Sequence, residues 1–320
     1  MAELFDDLLG QGAAVRLLEA ALLRRRLAPA YLFFGPEGVG RRLATLRFLE
    51  GVLSQGAGLA GDLALRRRLS QGNHPDLLWL EPTYSHQGQL VPASRAEAEG
   101  VNRRSPPQLR LEQVRELSRF VARHPVEASH NLVVLEGTEA MAEPAANALL
   151  KTLEEPGHGL LVLISAAPDQ LLSTIRSRCQ AVPFVRLSPA LVARVLEGRT
   201  EDSGEGPDPP ELQDLAAGSP GALEAHRRQW RSLPEGLAQR LMALGPEPIE
   251  ALHLARDLCE QLDGEQQLWL LNWWQWALWQ RQRNAQVLRR LETLRGQLLG
   301  FVQPRLAWEV TLLELALARG

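Results

Sequence analysis

The sequence predicts an α/β domain built on a mainly parallel sheet, followed by a small helical domain and a C-terminal all-helical domain. Two observations carry this. Short apolar runs alternate with helical patterns through the first ~187 residues, the signature of parallel strands joined by helical crossovers. From Ser188-Pro189 onward the pattern is helical to the end, and Gly245-Pro246-Glu247-Pro248 marks a second break. The expected domains are therefore 1–187, 188–240 and 241–320. At roughly 150 residues per domain, 320 residues suffice for two or three real cores.

The elements follow in order. Val15, Leu18 and Leu22 recur at helical spacing, and after Pro29 the run Ala30 to Phe34 reads as a buried strand. Leu77 to Leu80, Leu132 to Leu135, Leu160 to Ile164 and Ala181 to Val185 read as four more. A helix from about Pro144 carries Ala146, Leu149, Leu150 and Leu153 on one face and stops before Pro156-Gly157. The polar stretch Pro82 to Gln108 reads as a loop insertion, and Glu197 to Pro210 as a surface loop between helices.

Composition narrows the function. Apolar residues make up 45% and charged residues 23%, the balance of a folded protein. With 35 basic against 38 acidic residues the net charge is -3, so the whole molecule is no polycation and any DNA contact is local. Only Lys151 among the basic residues is lysine; 34 are arginine. Two cysteines, Cys179 and Cys259, exclude a disulfide framework and a zinc site of several thiolates. The opening MAELFDDLLG lacks the regions of a signal peptide, and no apolar run approaches ~20 residues, so a cytoplasmic location without a membrane is expected.

Directly after the first strand comes Gly35-Pro36-Glu37-Gly38-Val39-Gly40-Arg41-Arg42, with the spacing of a phosphate-binding P-loop. In an active P-loop the glycines let backbone N–H groups wrap phosphate, a lysine reaches the outer phosphates and a hydroxyl ligates magnesium. Arginines occupy the last two positions here. Arg41 can still bind phosphate as a fork, whereas Arg42 offers no acceptor to a metal. The second element of such a site is an acidic pair at a strand end. The candidate, Leu132 to Gly137, supplies Glu136 on the metal side or simply a carboxylate ending a buried strand, and Gly137 has no side chain to act as a base.

Ala145-Ala146-Asn147-Ala148-Leu149-Leu150-Lys151-Thr152-Leu153-Glu154-Glu155-Pro156, followed by Ser177-Arg178-Cys179, resembles the signature of the bacterial sliding-clamp loaders, AAA+ proteins of DNA replication. With the degenerate P-loop, His74-Pro75-Asp76 and Gln303-Pro304-Arg305-Leu306-Ala307, the resemblance is to the delta-prime branch of the DNA polymerase III clamp-loader family and touches all three domains. It implies an AAA+ domain, a helical lid and a helical collar. It also implies a non-hydrolysing subunit of the DNA polymerase III holoenzyme, a DNA-directed DNA polymerase and nucleotidyltransferase, partnered by gamma/tau-type ATPase subunits and a delta subunit. The sliding clamp and primed DNA are reached through the complex. Arg178 is implied to be an arginine finger acting in trans on a neighbour's ATP, with Arg176 the alternative; without the resemblance, Arg178 reads as a solvated arginine near a helix C-terminus.

The departures from the family pattern agree with one another. Active members keep a P-loop lysine, a hydroxyl, an acidic pair and an arginine in a Gly-Ser-x-Arg motif; here stand Arg41, Arg42, Glu136-Gly137 and Gly221 of Gly218-Ser219-Pro220-Gly221. Where a polar sensor is expected only Ser165 is available. The cysteine zinc module of many relatives is missing between Ala44 and Asn73, so no zinc and no required cofactor is expected. Gly35, Gly38 and Gly40, with Arg41, Arg42 and Glu136 beside them, leave ATP binding an open question. The competing reading is an autonomous ATP-hydrolysing AAA+ protein of replication or repair.

Two further features have a plain and a functional reading. Arg66-Arg67-Arg68 and Arg103-Arg104 form either a solvated face or a contact to the DNA backbone. Trp269, Trp273 and Trp276 form a helical core stripe, from which the off-stripe Trp274 points to an oligomer interface.

Overall fold

A computed structural model describes residues 4–54, 61–96, 98–101, 106–197, 208–300 and 302–318. The chain divides into two compact units, Met1–Glu201 with Gly218–Gly221, and Asp202–Ala217 with Ala222–Gly320. In the first, α1 (Gly12–Leu23) leads to β1 (Ala30–Phe34), α2 (Arg41–Leu53), α3 (Leu63–Ser70) and β2 (Leu77–Leu80). Strands β3 (Thr83–His86) and β4 (Gln89–Pro92) are followed by α4 (Leu111–Val121), β5 (Asn131–Leu135), α5 (Glu143–Glu154) and β6 (Gly159–Ser165). Helix α6 (Ser173–Arg176), β7 (Gln180–Pro183) and α7 (Pro189–Glu197) complete it.

Five strands pair in parallel in the order β2-β5-β6-β1-β7. Parallel sheets survive only when both faces are covered, and successive residues point to opposite faces. Leu32, Val133, Leu135, Leu161 and Leu163 accordingly share a core with Leu117 of α4 and Leu149 of α5. Tyr31 and Phe33, one residue out of phase with Leu32, meet Phe48 of α2 at ring distances of 4.8 and 6.2 Å. The α/β architecture is the one the alternating pattern predicts.

The described residues of the stretch 82–108 include a hairpin that the expected loop did not. Gln87 and Gly88, with φ of +49° and +81°, form a two-residue turn of the kind that matches strand twist, and β3 and β4 pair antiparallel across it. Val91, Ala96 and Val101 give the insertion its own small core, which polar composition hid.

His74-Pro75-Asp76 acts as a structural clamp. The buried Asp76 carboxylate accepts backbone N–H groups from Val126, Glu127 and Ala128, each at 2.7 Å, and so fastens the loop preceding β5. Burial by itself raises the Asp76 carboxyl, but the three amide donors and the neighbouring His74 outweigh it and hold the group below its ordinary value. The sign follows. A carboxyl depressed on folding contributes stability above its unfolded pKa of about 3.9 and loses that contribution as pH falls through the folded value. We expect Asp76→Ala to remove at least about 2 kcal/mol at pH 7, because three donors lose their acceptor. The difference from the native chain should shrink below about pH 4, as read in urea titrations at both pH values.

The regular elements among the second unit's described residues are all helices: α8 (Pro210–Ala216), α9 (Pro220–Arg231, whose first two residues belong to the first unit), α10 (Leu237–Met242), α11 (Pro248–Gln261), α12 (Gly264–Gln282), α13 (Ala285–Leu299) and α14 (Pro304–Leu317). Of the expected stripe only Trp273 is buried, its ring tilted at 53° to Trp230 at 5.0 Å, while Trp269 and Trp276 are half-buried. Trp274 is not an interface residue. It is fully buried beside Trp308 at 6.4 Å, because α12 is covered on several sides and needs more than one apolar stripe. Among the described residues, no helix is long and apolar enough to cross a membrane.

Candidate functional site

The P-loop sits where β1 ends and α2 begins, at the carboxyl edge of the sheet between β6 and β7, the place where open α/β sheets bind ligands. Gly35, Gly38 and Gly40 all adopt positive φ (+142°, +69° and +103°), so the turn keeps the backbone form its glycines permit. Gly40 caps the 13-residue α2, whose first turn lines a cavity of about 440 Å³ together with Gly38 to Gly40, Glu136 and Gly221. Gln11, unremarked in the sequence, fastens the loop from behind. Its side-chain amide donates to Val39 O at 3.1 Å and Val185 O at 2.8 Å and accepts from Val185 N at 3.0 Å.

Arg41 lines this cavity and is only 8% exposed, and its Nη1 has no hydrogen-bond partner. Burial pushes the guanidinium below its ordinary pKa, against the opposing pull of Glu139, Glu37 and Glu136. A buried donor without an acceptor suits an anion. The glycine turn and Arg41 therefore retain groups that fit phosphate.

A magnesium ion is another matter. Arg42 Nη1 donates to Glu136 Oε2 at 2.8 Å, and its guanidinium lies 4.6 Å from the centre of the Trp79 ring. The Trp79 indole N–H donates to the same carboxylate oxygen at 3.0 Å. The carboxylate that an ion would need is thus already neutralised by a guanidinium and hydrogen-bonded twice. Gly137 has φ +62°, and a Cβ there would stand 2.9 Å from Pro82 Cγ. A water-activating side chain is excluded by shape as well as by sequence. The residues present do not fit the metal.

The remaining positions agree. Ser165 is fully buried and its Oγ accepts from Ala167 N at 3.2 Å, which ties it into the turn after β6. Gly221 N donates to Gly38 O at 3.0 Å and Ser219 Oγ to Glu37 O at 2.6 Å, so Gly218–Gly221 lies on the P-loop itself. A Cβ on Gly221 would lie 2.8 Å from Gly38 Cα, leaving no room for the arginine of active relatives. Among the described residues, no group of three His, Cys, Asp or Glu could hold a metal ion.

Arg178 stands apart from this site, in the turn between α6 and β7. Its Nη2 donates to Glu154 Oε1 at 2.8 Å and its Nη1 to Thr174 O at 3.0 Å, with the side chain 36% exposed. Arg176 pairs instead with Asp169 at 2.7 Å. Cys179 packs behind Arg178 against the core, and burial pushes its thiol up to about 11, so it stays protonated.

The arginine runs resolve unequally. Arg66 is committed to the buried Glu50 at 2.8 Å and Arg68 to Glu127 at 2.9 Å, so the 66–68 run presents no continuous basic face to a phosphate backbone. Arg103-Arg104 lies outside the described residues. Trp79, Glu139 and Glu154 were not singled out by sequence reasoning. Trp79 had no signal beyond its place in a strand run, whereas Glu154 was visible within the Leu149-to-Pro156 signature.

Comparison with known proteins gives concordant matches. A family model described as DNA polymerase III, delta subunit, matches residues 10–188, and one described as Cyanobacterial DNA polymerase III delta prime, C-terminal domain, matches residues 190–315. The chain is 37% identical over 224 residues to DNA polymerase III subunit delta′ of Pseudomonas aeruginosa, covering 68% of this chain and 60% of that protein. It is 31% identical over 191 residues to the Bacillus subtilis subunit of the same name, covering 58% of this chain and 51% of the other. The matches thus span just over half the length of these relatives. The crystal structure of a DNA polymerase III gamma subunit-related protein from Thermotoga maritima aligns with a TM-score of 0.55 at 16% identity, over 94% of this chain and 99% of that one, which shows a shared fold.

Proposed function

Because the chain belongs to the DNA polymerase III delta and delta-prime family, we propose that it serves the sliding-clamp loader of DNA replication as a delta-prime-type subunit. It hydrolyses no ATP itself and supplies Arg178 in trans to the ATP site of a neighbouring gamma/tau-type subunit. The observation that carries this reading is the Arg42–Glu136–Trp79 cluster, which stands where a hydrolysing subunit holds its metal. A protein that keeps its P-loop shape while filling the metal position with its own guanidinium is built to be a partner in catalysis. It has no use for a magnesium-bound nucleotide of its own.

Assembly with the ATPase subunits and the delta subunit falls, in this reading, to the C-terminal helices from about Gly245. Support comes from apolar side chains that α11 and α14 leave uncovered, Ile249 at 67%, Leu306 at 52% and Leu317 at 66% exposed. The sliding clamp and primed DNA are then engaged by the assembled loader.

The test separates activity from membership. The purified chain is expected to show no magnesium-dependent ATP turnover above background, and to co-purify with gamma/tau-type and delta subunits. Turnover that follows the chain through purification would establish an autonomous ATPase and overturn the proposal. Calorimetry with ATP and a chelator addresses the P-loop separately, since Arg41 and the glycine turn need no metal to meet phosphate.

A further inference from the structure

The two arginines that compete for the finger role are held very differently. Arg176 is paired with Asp169, whose side chain is 94% exposed, so that contact is screened and loose. Arg178 is paired with Glu154, itself 53% exposed but carried on the last turn of the 12-residue α5. That helix is fixed. Leu149 and Leu153 sit in the core, and Thr152 Oγ1 shares a 2.8 Å hydrogen bond with Ser118 Oγ of α4. Below Arg178, Ile175 is fully buried and Cys179 packs on the same core.

Donor counting shows what the pair does. A guanidinium has five N–H groups in a rigid fork. Thr174 O and Glu154 Oε1 take one each from Nη1 and Nη2, which fixes the plane and leaves three donors for an incoming phosphoryl group. A group already aimed loses little freedom when its target arrives.

We propose that Glu154 is a positioning residue that presents the Arg178 guanidinium to the neighbouring subunit's nucleotide. The proposal rests on the finger reading of Arg178. Glu154 touches no substrate, so its effect passes entirely through Arg178.

The experiment uses reconstituted clamp loader carrying Glu154→Gln, Arg178→Ala or both, with DNA- and clamp-stimulated ATPase as the readout and gel filtration as the check on assembly. Glu154→Gln is expected to lower kcat about five-fold with KM for ATP unchanged. It should have no further effect in the Arg178→Ala background, a non-additivity that a merely structural role would not produce. Loss of rate with Arg178→Ala but none with Glu154→Gln overturns the positioning role and leaves the finger intact. A faster Glu154→Gln complex makes the contact a restraint and overturns it too. No loss with Arg178→Ala removes the finger itself, and the proposal falls with it.

Discussion

Replacing Arg178 by alanine is expected to lower ATP hydrolysis at the adjoining subunit by ~10² or more while leaving the complex assembled. Arginines supplied in trans contribute about 10³ to 10⁵ in rate in the best-characterised phosphoryl-transfer systems, because they meet charge that develops only in the transition state. Stability should hardly change. Arg178 is part-exposed and outside the core, and such substitutions shift stability by less than about 0.5 kcal/mol. Arg178→Lys should restore little, since an ammonium can neither keep the two contacts to Glu154 and Thr174 in one plane nor offer a fork to phosphate. Steady-state ATPase of the reconstituted loader measures both variants. Unchanged hydrolysis in an intact Arg178→Ala complex would reduce the chain to a scaffold.

The second large effect is structural. Glu50 is completely buried in α2, accepts Arg66 Nε at 2.8 Å and Asp62 N at 2.7 Å, and joins α2 to α3. Glu50→Ala leaves the Arg66 guanidinium largely buried without its counter-charge, which costs about 3 kcal/mol or more. Replacing both Glu50 and Arg66 by leucine should recover part of the loss, since a buried pair is expensive chiefly when half of it is missing, while Asp62 N and Arg47, 3.6 Å from Glu50, still lose their acceptor. Urea midpoints at constant m would show this. Asp169→Ala is the control. Asp169 also bonds an arginine, Arg176, but the two are 94% and 40% exposed, and pairs of that kind contribute no more than about 1 kcal/mol. Equal losses from Glu50→Ala and Asp169→Ala would sink the argument.

The fold was legible because its signals are periodic. Buried parallel strands are continuous apolar runs, and Ala30 to Phe34 or Leu132 to Leu135 can be little else between helical patterns. The 83–92 hairpin was missed because its turn, Gln87-Gly88, lacks the commonest turn pairs and its strands are polar. Trp274 was misread because a helical wheel assumes one buried face, whereas α12 is enclosed by several helices and Trp308 takes the space beside it. At the site, the spacing from Gly35 to Arg42 and the replacement at Gly137 could be read directly. What could not be read was contact across 57 or 94 residues, the separations at which Trp79 and Arg42 reach Glu136. Nor does a run of arginines show which of its members is already spent on a buried acid, as Arg66 is.

The way Gly137, Arg42 and Gly221 are seated also bears on the routes by which this sequence can change. Putting an acid at 137 forces an L side chain into a left-handed turn against Pro82. Putting a hydroxyl at 42 strips Glu136 of its counter-charge, and putting an arginine at 221 drives a side chain into Gly38. Each step toward an active ATPase thus meets its own steric or electrostatic cost in this fold, and a lineage taking them one at a time loses stability at every step. A library randomised at 41, 42, 137 and 221 together, with Pro82 free to vary, is therefore a search for revived turnover that single-site scans cannot replace.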